Sequence, residues 1–428
     1  MDINSILKQF ERFGVHLGLE RIQQLLADLG SPQQRVPIIH VAGTNGKGSV
    51  CAYLSAVLTQ AGYRTGRYTS PHLVNWCERI CLNEQPITPE DLQRSLLQVE
   101  ATLRQGTYAS TPTQFEVITA AAWLYFAQQQ VDIAVVEVGL GGRLDATNVS
   151  DRPLVTIITS LSREHWQNLG PTLADIAREK AGILKPGCPA VIGPLPPEAK
   201  TVVLQWIQAL QCPAVWPEPA LDLGNGWAEF PGILQYPLPL PGAVQLTNSA
   251  LAIAALQILQ GQGWKISEAA IVAGMAQTSW PGRLQWTTWN HQRLLIDGAH
   301  NPAAAQALRQ YVDSIKAQDA AVHWVMGMLS TKDHAEIFQA LLRPGDGLYL
   351  VPVPDHSSAD VEKLATLAHS ICPELAHCQT YADLDPGLES AIQNKKVGMK
   401  PTSTDDLLVL CGSLYLVGHF LRQQRSPG

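Results

Sequence analysis

The residues with the clearest capacity for chemistry lie in one run, Val36-Pro-Ile-Ile-His-Val-Ala-Gly-Thr-Asn-Gly-Lys-Gly-Ser-Val50. Its glycines permit positive φ and close backbone approach. The N–H groups around Gly43, Thr44, Asn45, Gly46 and Gly48, together with the Lys47 ammonium and the Ser49 hydroxyl, can therefore converge on one phosphate chain. That chemistry suits an ATP-using enzyme. The spacing departs from the standard phosphate loop, because Val41 stands where the first glycine belongs and Gly48 separates Lys47 from Ser49. An ordinary glycine-rich turn between strand and helix is the competing reading.

Four further residues stand out by position. Glu137 nears the end of Val131-Asp-Ile-Ala-Val-Val-Glu-Val-Gly139, a stretch apolar enough to be buried on both faces. A carboxylate there needs a cation or donors: it either faces a ligand at the strand's carboxyl end or pairs with an arginine such as Arg143. His165 follows the strand-like Leu154–Ser160 and reads as a metal ligand or as a solvated loop histidine. Lys180 falls on the apolar stripe Leu173, Ile176, Ala177, Leu184 of a helix predicted over 172–184. It is either an inward amine that loses its proton readily or a side chain that snorkels to water. Asp297 ends the strand-like Arg293–Asp297, before Gly298-Ala-His-Asn-Pro302, where Asn301 caps a helix and Pro302 takes its first position. It accepts from a ribose or phosphate-bearing ligand, or it shapes a turn.

The elements that must hold these residues alternate between strand and helix. Strand-like runs at 38–42, 131–138 and 154–160, with helical patterns at 47–61 and 172–184, predict a mostly parallel sheet covered by helices. A proline-rich region, 187–241, breaks the rhythm and predicts a peripheral hairpin or irregular strands. Helices resume at 246–260 and from Ser267 to the break at Trp280-Pro-Gly-Arg283, and strand-like runs at 293–297, 322–326, 348–353 and 407–411 predict a second α/β unit. The expected division is an ATP-binding domain over 1–283, a linker over 284–291 and a smaller Rossmann-like domain over 292–428.

With 428 residues, 46% hydrophobic and 16% charged, the chain is long enough for two or three cores. The net charge of -7 argues against a nucleic-acid or anionic-membrane surface. No basic leader with an apolar core and no bilayer-length apolar run is present, so a cytoplasmic protein is expected. The eight cysteines show no C-x-x-C spacing and are expected to be buried hydrophobes.

Taken jointly, these motifs resemble one family. Leu17-Gly-Leu-Glu-Arg-Ile22, His40–Ser49, Thr69-Ser-Pro-His-Leu73, Glu78-Arg-Ile80, Thr113–Glu116, Glu137–Asn148, Glu179-Lys-Ala-Gly182, Trp280–Arg283, Asp297–Pro302 and Gly412–Gly418 closely resemble folylpolyglutamate and dihydrofolate synthases of the Mur ligase superfamily. The resemblance implies ATP-dependent ligation of L-glutamate to dihydropteroate or a folate through an acyl phosphate, with two magnesium ions, by a monomer. It implies that Gly46–Ser49 bind ATP phosphates, that Ser70, Glu137 and His165 are magnesium ligands, and that Lys180 is carbamylated by CO₂. Asn248, Arg283 and Asp297 match nucleotide positions, and His300 matches a histidine near the γ-phosphate. Thr113, Gln114, Phe115, Glu116, Leu144, Asp145 and Ala146 match the pterin-side pocket.

This chain departs from the family pattern at Glu164-His165, where Asp-His is usual, and at Val244-Gln245, where His-Gln is usual. Thr331-Lys-Asp333 replaces Asp-Lys-Asp, and no arginine follows Pro354 in Asp355-His-Ser-Ser358. Only 42 residues precede Gly43, fewer than the nucleotide-sugar domain of peptidoglycan ligases needs. A P-loop kinase would place a hydroxyl directly after the lysine.

Overall fold

The computed structural model describes residues 2–11, 17–317, 320–397 and 406–425. They form two compact units, one of Met1–Pro239 with Val244–Ser279, the other of Leu240–Ala243 with Trp280–Gly428.

The strands of the first unit are β1 (Ile38–Ala42), β2 (Thr65–Tyr68), β3 (Ile80–Leu82), β4 (Gln85–Pro86), β5 (Ile133–Glu137), β6 (Val155–Ile158), β7 (Ala190–Ile192), β8 (Ala214–Val215), β9 (Leu221–Gly224), β10 (Trp227–Phe230) and β11 (Leu234–Pro237). Among the described residues the first eight make one sheet in the order β4-β3-β2-β5-β1-β6-β7-β8. Neighbours are parallel from β2 to β8, and β3 and β4 add antiparallel strands at one edge. Central β1 is buried throughout, as its unbroken apolar run requires between two helical layers. Val41 lies opposite both Glu137 and Ile157, so β5, β1 and β6 end level and their following loops emerge side by side.

The helix Lys47–Gln60 is buried from Ser49 to Leu58 and packs closely on the helix Glu268–Gln277. A Cβ on Gly274 would come within 2.4 Å of the Val57 Cα, so only glycine permits that crossing. The helix Leu173–Ala181 is shorter than its periodicity suggests. Thr172 and Asp175 form its capping box, and the helix stops at Gly182, where a Cβ would lie 2.3 Å from that of Arg143. The proline-rich region holds more regular structure than expected. It supplies β7, the helix Pro197–Leu210, β8 and the antiparallel sheet β11-β10-β9. Pro197 sits in the first turn of that helix, where a missing N–H costs nothing, so the prolines begin a helix as well as marking turns.

The second unit holds β12 (Gln285–Trp289), β13 (Gln292–Ile296), β14 (Val322–Met326), β15 (Gly347–Leu350), β16 (His377–Thr380) and β17 (Leu407–Cys411). Their order is β12-β13-β17-β14-β15-β16, all parallel except β12. The expected linker 284–291 is therefore mostly strand. Asn290 and His291, with φ of 46° and 64°, close a two-residue hairpin that pairs β12 with β13.

A buried polar group pins this unit. Arg309 Nη1 donates to Asp346 Oδ2 at 2.6 Å, and Trp324 Nε1 and the Arg343 N–H donate to the same oxygen at 3.0 Å. Burial pushes the Asp346 carboxyl up, and these donors oppose it. Asp346→Ala is expected to cost roughly 2 kcal/mol in urea unfolding, because it removes the buried acceptor shared by Arg309 Nη1, Trp324 Nε1 and the Arg343 N–H, while Asp313 still holds the other edge of the guanidinium at 2.7 Å. A change below about 0.5 kcal/mol would show the ion pair to be dispensable.

Among the described residues no helix is long and apolar enough to cross a membrane. The cysteines are free and buried except for half-buried Cys378.

Candidate active site

The glycine-rich loop leaves the carboxyl end of β1 through Gly43 and Gly46, both at positive φ (148° and 89°). It rests on the residues that follow β6. Thr44 N donates to Ser160 O at 2.8 Å and Asn45 N to Ser160 Oγ at 3.1 Å, while the Thr159 and Ser160 hydroxyls donate to Asn45 O at 2.6 and 3.0 Å. These two hydroxyl residues were not recognised from sequence as site residues. Their signal was a pair of hydroxyls ending an apolar strand.

The helix Val244–Gly261 backs the loop from another side. Asn248 Nδ2 donates to Gln245 Oε1 at 3.1 Å, and Gln245 Nε2 reaches Ser49 Oγ at 3.4 Å. Gln245, which the sequence marks only as part of the Val244-Gln245 departure, thus also supports the loop. A Cβ on Gly46 would lie 2.4 Å from Asn248 Oδ1. Gly46→Ala, combining that clash with a left-handed backbone, is expected to cost about 2 kcal/mol and to weaken nucleotide binding tenfold or more. Calorimetric titration with an ATP analogue checks it, and unchanged affinity would remove the loop's glycines from the argument.

Lys47 Nζ donates to Thr44 O at 3.2 Å and lies 3.9 Å from Glu137 Oε1. Glu137 Oε2 accepts from Ser70 N at 3.3 Å, so the structure brings together Lys47, Glu137 and Ser70. The alternative partner, Arg143, is engaged elsewhere: its guanidinium pairs with Glu179 at 2.8 Å. Glu78 ties the loop after Ser70, accepting from Leu73 N and Val74 N at 2.9 and 3.1 Å.

Lys180 points inward and is 7% exposed, which excludes snorkelling. Its Nζ donates to Gly43 O at 2.7 Å. Burial, reinforced by the Lys47 charge, lowers its pKa to about 7, against the opposing pull of Glu164 and Asp145. Glu164, which the sequence marks only as a departure from the usual Asp-His, is itself buried. Its neighbour His165, in a left-handed conformation before the short helix Trp166–Leu169, is 45% exposed and lies 3.8 Å from Glu164 Oε1.

Magnesium, which the resemblance implies, fits these donors. Glu137 offers a buried carboxylate and Ser49 and Ser70 offer hydroxyls, the hard oxygen ligands that Mg²⁺ supplements with water and phosphate oxygens. No three His, Cys, Asp or Glu side chains gather into a metal site among the described residues.

The residues matched to a pterin pocket do much of the local folding. Thr113 and Glu116 form the capping box of the helix Gln114–Gln128, and Arg21 Nε donates to both Glu116 oxygens at 3.1 Å. Gln114 Nε2 donates to Leu7 O at 3.2 Å, and the Phe115 ring fills the space a Cβ on Gly139 would take. Asp145 accepts from Leu140 N, Thr147 N and the Thr147 hydroxyl at 2.7, 3.0 and 2.6 Å, which folds the loop after β5. Leu144 is half-buried beside buried Ala146.

Arg283, Asp297 and His300 belong to the second unit. Asp297 accepts from Leu284 N and Ala299 N at 2.8 and 2.7 Å, and a Cβ on Gly298 would meet an Arg283 guanidinium nitrogen at 2.4 Å. Burial raises the Asp297 carboxyl and Arg283 pulls it back. His300 Nδ1 donates to Gly298 O at 2.7 Å, which fixes the ring against the turn that follows β13.

A parallel sheet whose level strand ends carry a phosphate loop and a buried glutamate, with a buried lysine reaching that loop from a helix, defines a phosphate-loop enzyme of the Mur ligase kind. Residues 41–193 match the Mur ligase middle domain, and residues 283–423 match the dihydrofolate synthetase C-terminal domain. The chain is 34% identical over 425 residues to the dihydrofolate synthase/folylpolyglutamate synthase of Bacillus subtilis, covering 95% of this chain and 94% of that protein. The chain belongs to the dihydrofolate synthase/folylpolyglutamate synthase family.

Solved structures agree. Mycobacterium tuberculosis folylpolyglutamate synthase complexed with ADP and AMPPCP superposes with a TM-score of 0.88 at 32% identity, covering 100% of this chain and 98% of that one. A bifunctional folylpolyglutamate synthase/dihydrofolate synthase with Mn, AMPPNP and L-glutamate bound gives 0.83 at 31% identity, covering 100% and 98%.

Proposed function

We propose that the chain ligates L-glutamate to the carboxylate of dihydropteroate, of a folate, or of both in turn, using ATP and releasing ADP and phosphate. The observation that carries this reading is the convergence of Lys47, Glu137 and Lys180 around a left-handed glycine loop. The acceptor carboxylate takes the γ-phosphoryl group, forming an acyl phosphate. The glutamate amine then attacks the acyl carbon and loses a proton, and the tetrahedral intermediate collapses to an amide as phosphate leaves. Backbone N–H groups of Gly46 to Ser49 and the Lys47 ammonium hold the phosphate chain and offset the charge that moves during transfer.

Magnesium, two ions on this reading, would be held by Ser70, Glu137, His165 and a carbamylated Lys180, and would neutralise phosphate charge. Carbamylation suits an amine with pKa about 7 in a buried pocket. The neutral nitrogen bonds to the carbon of CO₂ and gives up one proton, leaving a carboxylate in place of a buried cation. Asn248, Arg283 and Asp297 are assigned to the nucleotide, His300 to the γ-phosphate, and Thr113–Glu116 with Leu144–Ala146 to the pterin side. The last assignment concerns backbone and apolar surface, since the carboxylates of Glu116 and Asp145 already bind within the fold.

ADP release is expected only when ATP, L-glutamate and a pterin-bearing acceptor are all present. Mass analysis of products with dihydropteroate, and separately with a reduced folate, assigns the first and later additions. ADP release that ignores glutamate would overturn the ligase reading.

A further inference from the structure

Two cysteines lie side by side at the outer edge of the first unit's sheet. β7 and β8 pair in parallel with Ala190 opposite Ala214 and Val191 opposite Val215. Two residues back along each chain stand Cys188 and Cys212, both free. Hydrogen bonds bracket them: Ala190 N donates to Pro213 O at 2.8 Å, and on the far side Gly187 N, in a turn, donates at 2.9 Å to the carbonyl of Leu210, the last residue of the helix Pro197–Leu210. A step of two keeps each thiol on the face of its strand partner, and neighbouring strands run about 4.8 Å apart, within the Cα separation a disulfide spans. Both residues also meet at one atom, the Lys185 carbonyl oxygen, which accepts from Cys188 N at 3.0 Å and from Cys212 Sγ at 3.3 Å.

We propose that Cys188 and Cys212 form a reversible disulfide when the protein meets hydrogen peroxide, stapling the β7–helix–β8 crossover. One thiolate attacks peroxide, taking one oxygen as a sulfenic acid while hydroxide leaves. The other sulfur then displaces the sulfenic oxygen, so that two thiols and one peroxide become one disulfide and two waters. Burial pushes both thiols up, while Arg152 and Lys185 draw Cys188 back toward the thiolate. The Lys185 carbonyl contact likewise opposes the rise at Cys212, so either thiol can react first, and because burial raises both, the reaction quickens as pH rises. The six other cysteines lack a partner in strand register.

The test treats the full chain with graded peroxide, quenches with an alkylating agent in denaturant, and maps peptides without reduction. The expected first product is a linked peptide pair joining Cys188 to Cys212, with a mass lower by two hydrogens. The thermal midpoint should rise on the order of 5 °C, since the bond closes residues 188–212 into a loop, and dithiothreitol should reverse it. Cys212→Ser should show neither link nor rise, and if that variant fails to fold the wild-type peptide map decides alone. Links to other cysteines, separate overoxidation of the two thiols, or both remaining alkylatable while other cysteines react would overturn the proposal.

Discussion

Lys47→Ala is expected to lower the rate of glutamate ligation by about 1000-fold while leaving the protein folded. The ammonium is already placed, bonded to Thr44 O at 3.2 Å and 3.9 Å from Glu137, so it meets the transferring phosphoryl charge without reorganising. Loss of one such preorganised charge costs about 2.7–4 kcal/mol of barrier. The fold should survive because the helix Lys47–Gln60 anchors itself through residues buried from Ser49 onward. Acceptor-dependent and glutamate-dependent ADP release, with circular dichroism as the control for folding, measures the effect. A folded variant working at near wild-type rate would show that the loop does not hold the reacting phosphates.

The second large effect concerns Lys180. Lys180→Ala should lose about 1000-fold in turnover, and short carboxylates such as acetate should restore part of it by entering the vacated space. At a pKa of about 7 most of the amine is neutral at pH 8, whereas an ordinary lysine at 10.5 is almost wholly charged. CO₂-depleted buffer should therefore silence the wild type, with recovery on adding bicarbonate. Stability supplies an independent readout. The folded pKa lies below the unfolded one, so the unfolded chain holds the extra proton between about pH 7 and 10.5, and stability without CO₂ should rise with pH across that window. Lys180→Met should flatten the rise. Full activity of the wild type without CO₂ would return Lys180 to a structural role as donor to Gly43.

The residues that converge on the glycine loop were legible as anomalies because each breaks a local pattern. A glycine cluster after an apolar strand, a carboxylate in a buried strand and a lysine on an apolar helix stripe are anomalies that near neighbours expose. What lay out of reach was the choice of partner. Whether Glu137 met Arg143 or Lys47 depended on where the loop after β5 turns, and Arg143 is taken by Glu179, in a helix far along the chain. Thr159, Ser160 and Gln245 look unremarkable in their own segments and matter only where they touch the loop.

The fold divides in the same way. The alternation of strands and helices and the cap at Asn301 rest on interactions within a few residues, so the chain's order of residues determined them by itself, whereas the end of the helix Leu173–Ala181 at Gly182 is set by close approach of the distant Arg143. The segment 284–291 read as linker because a five-residue strand with a polar turn carries little periodic signal, and pairing with β13 made it an edge of the second sheet. Sheet order and register were decided by tertiary structure alone. Parallel strands are joined through distant crossovers, and only packing of the helices between them sets β5, β1 and β6 level and brings the loops that follow them to one edge of the sheet.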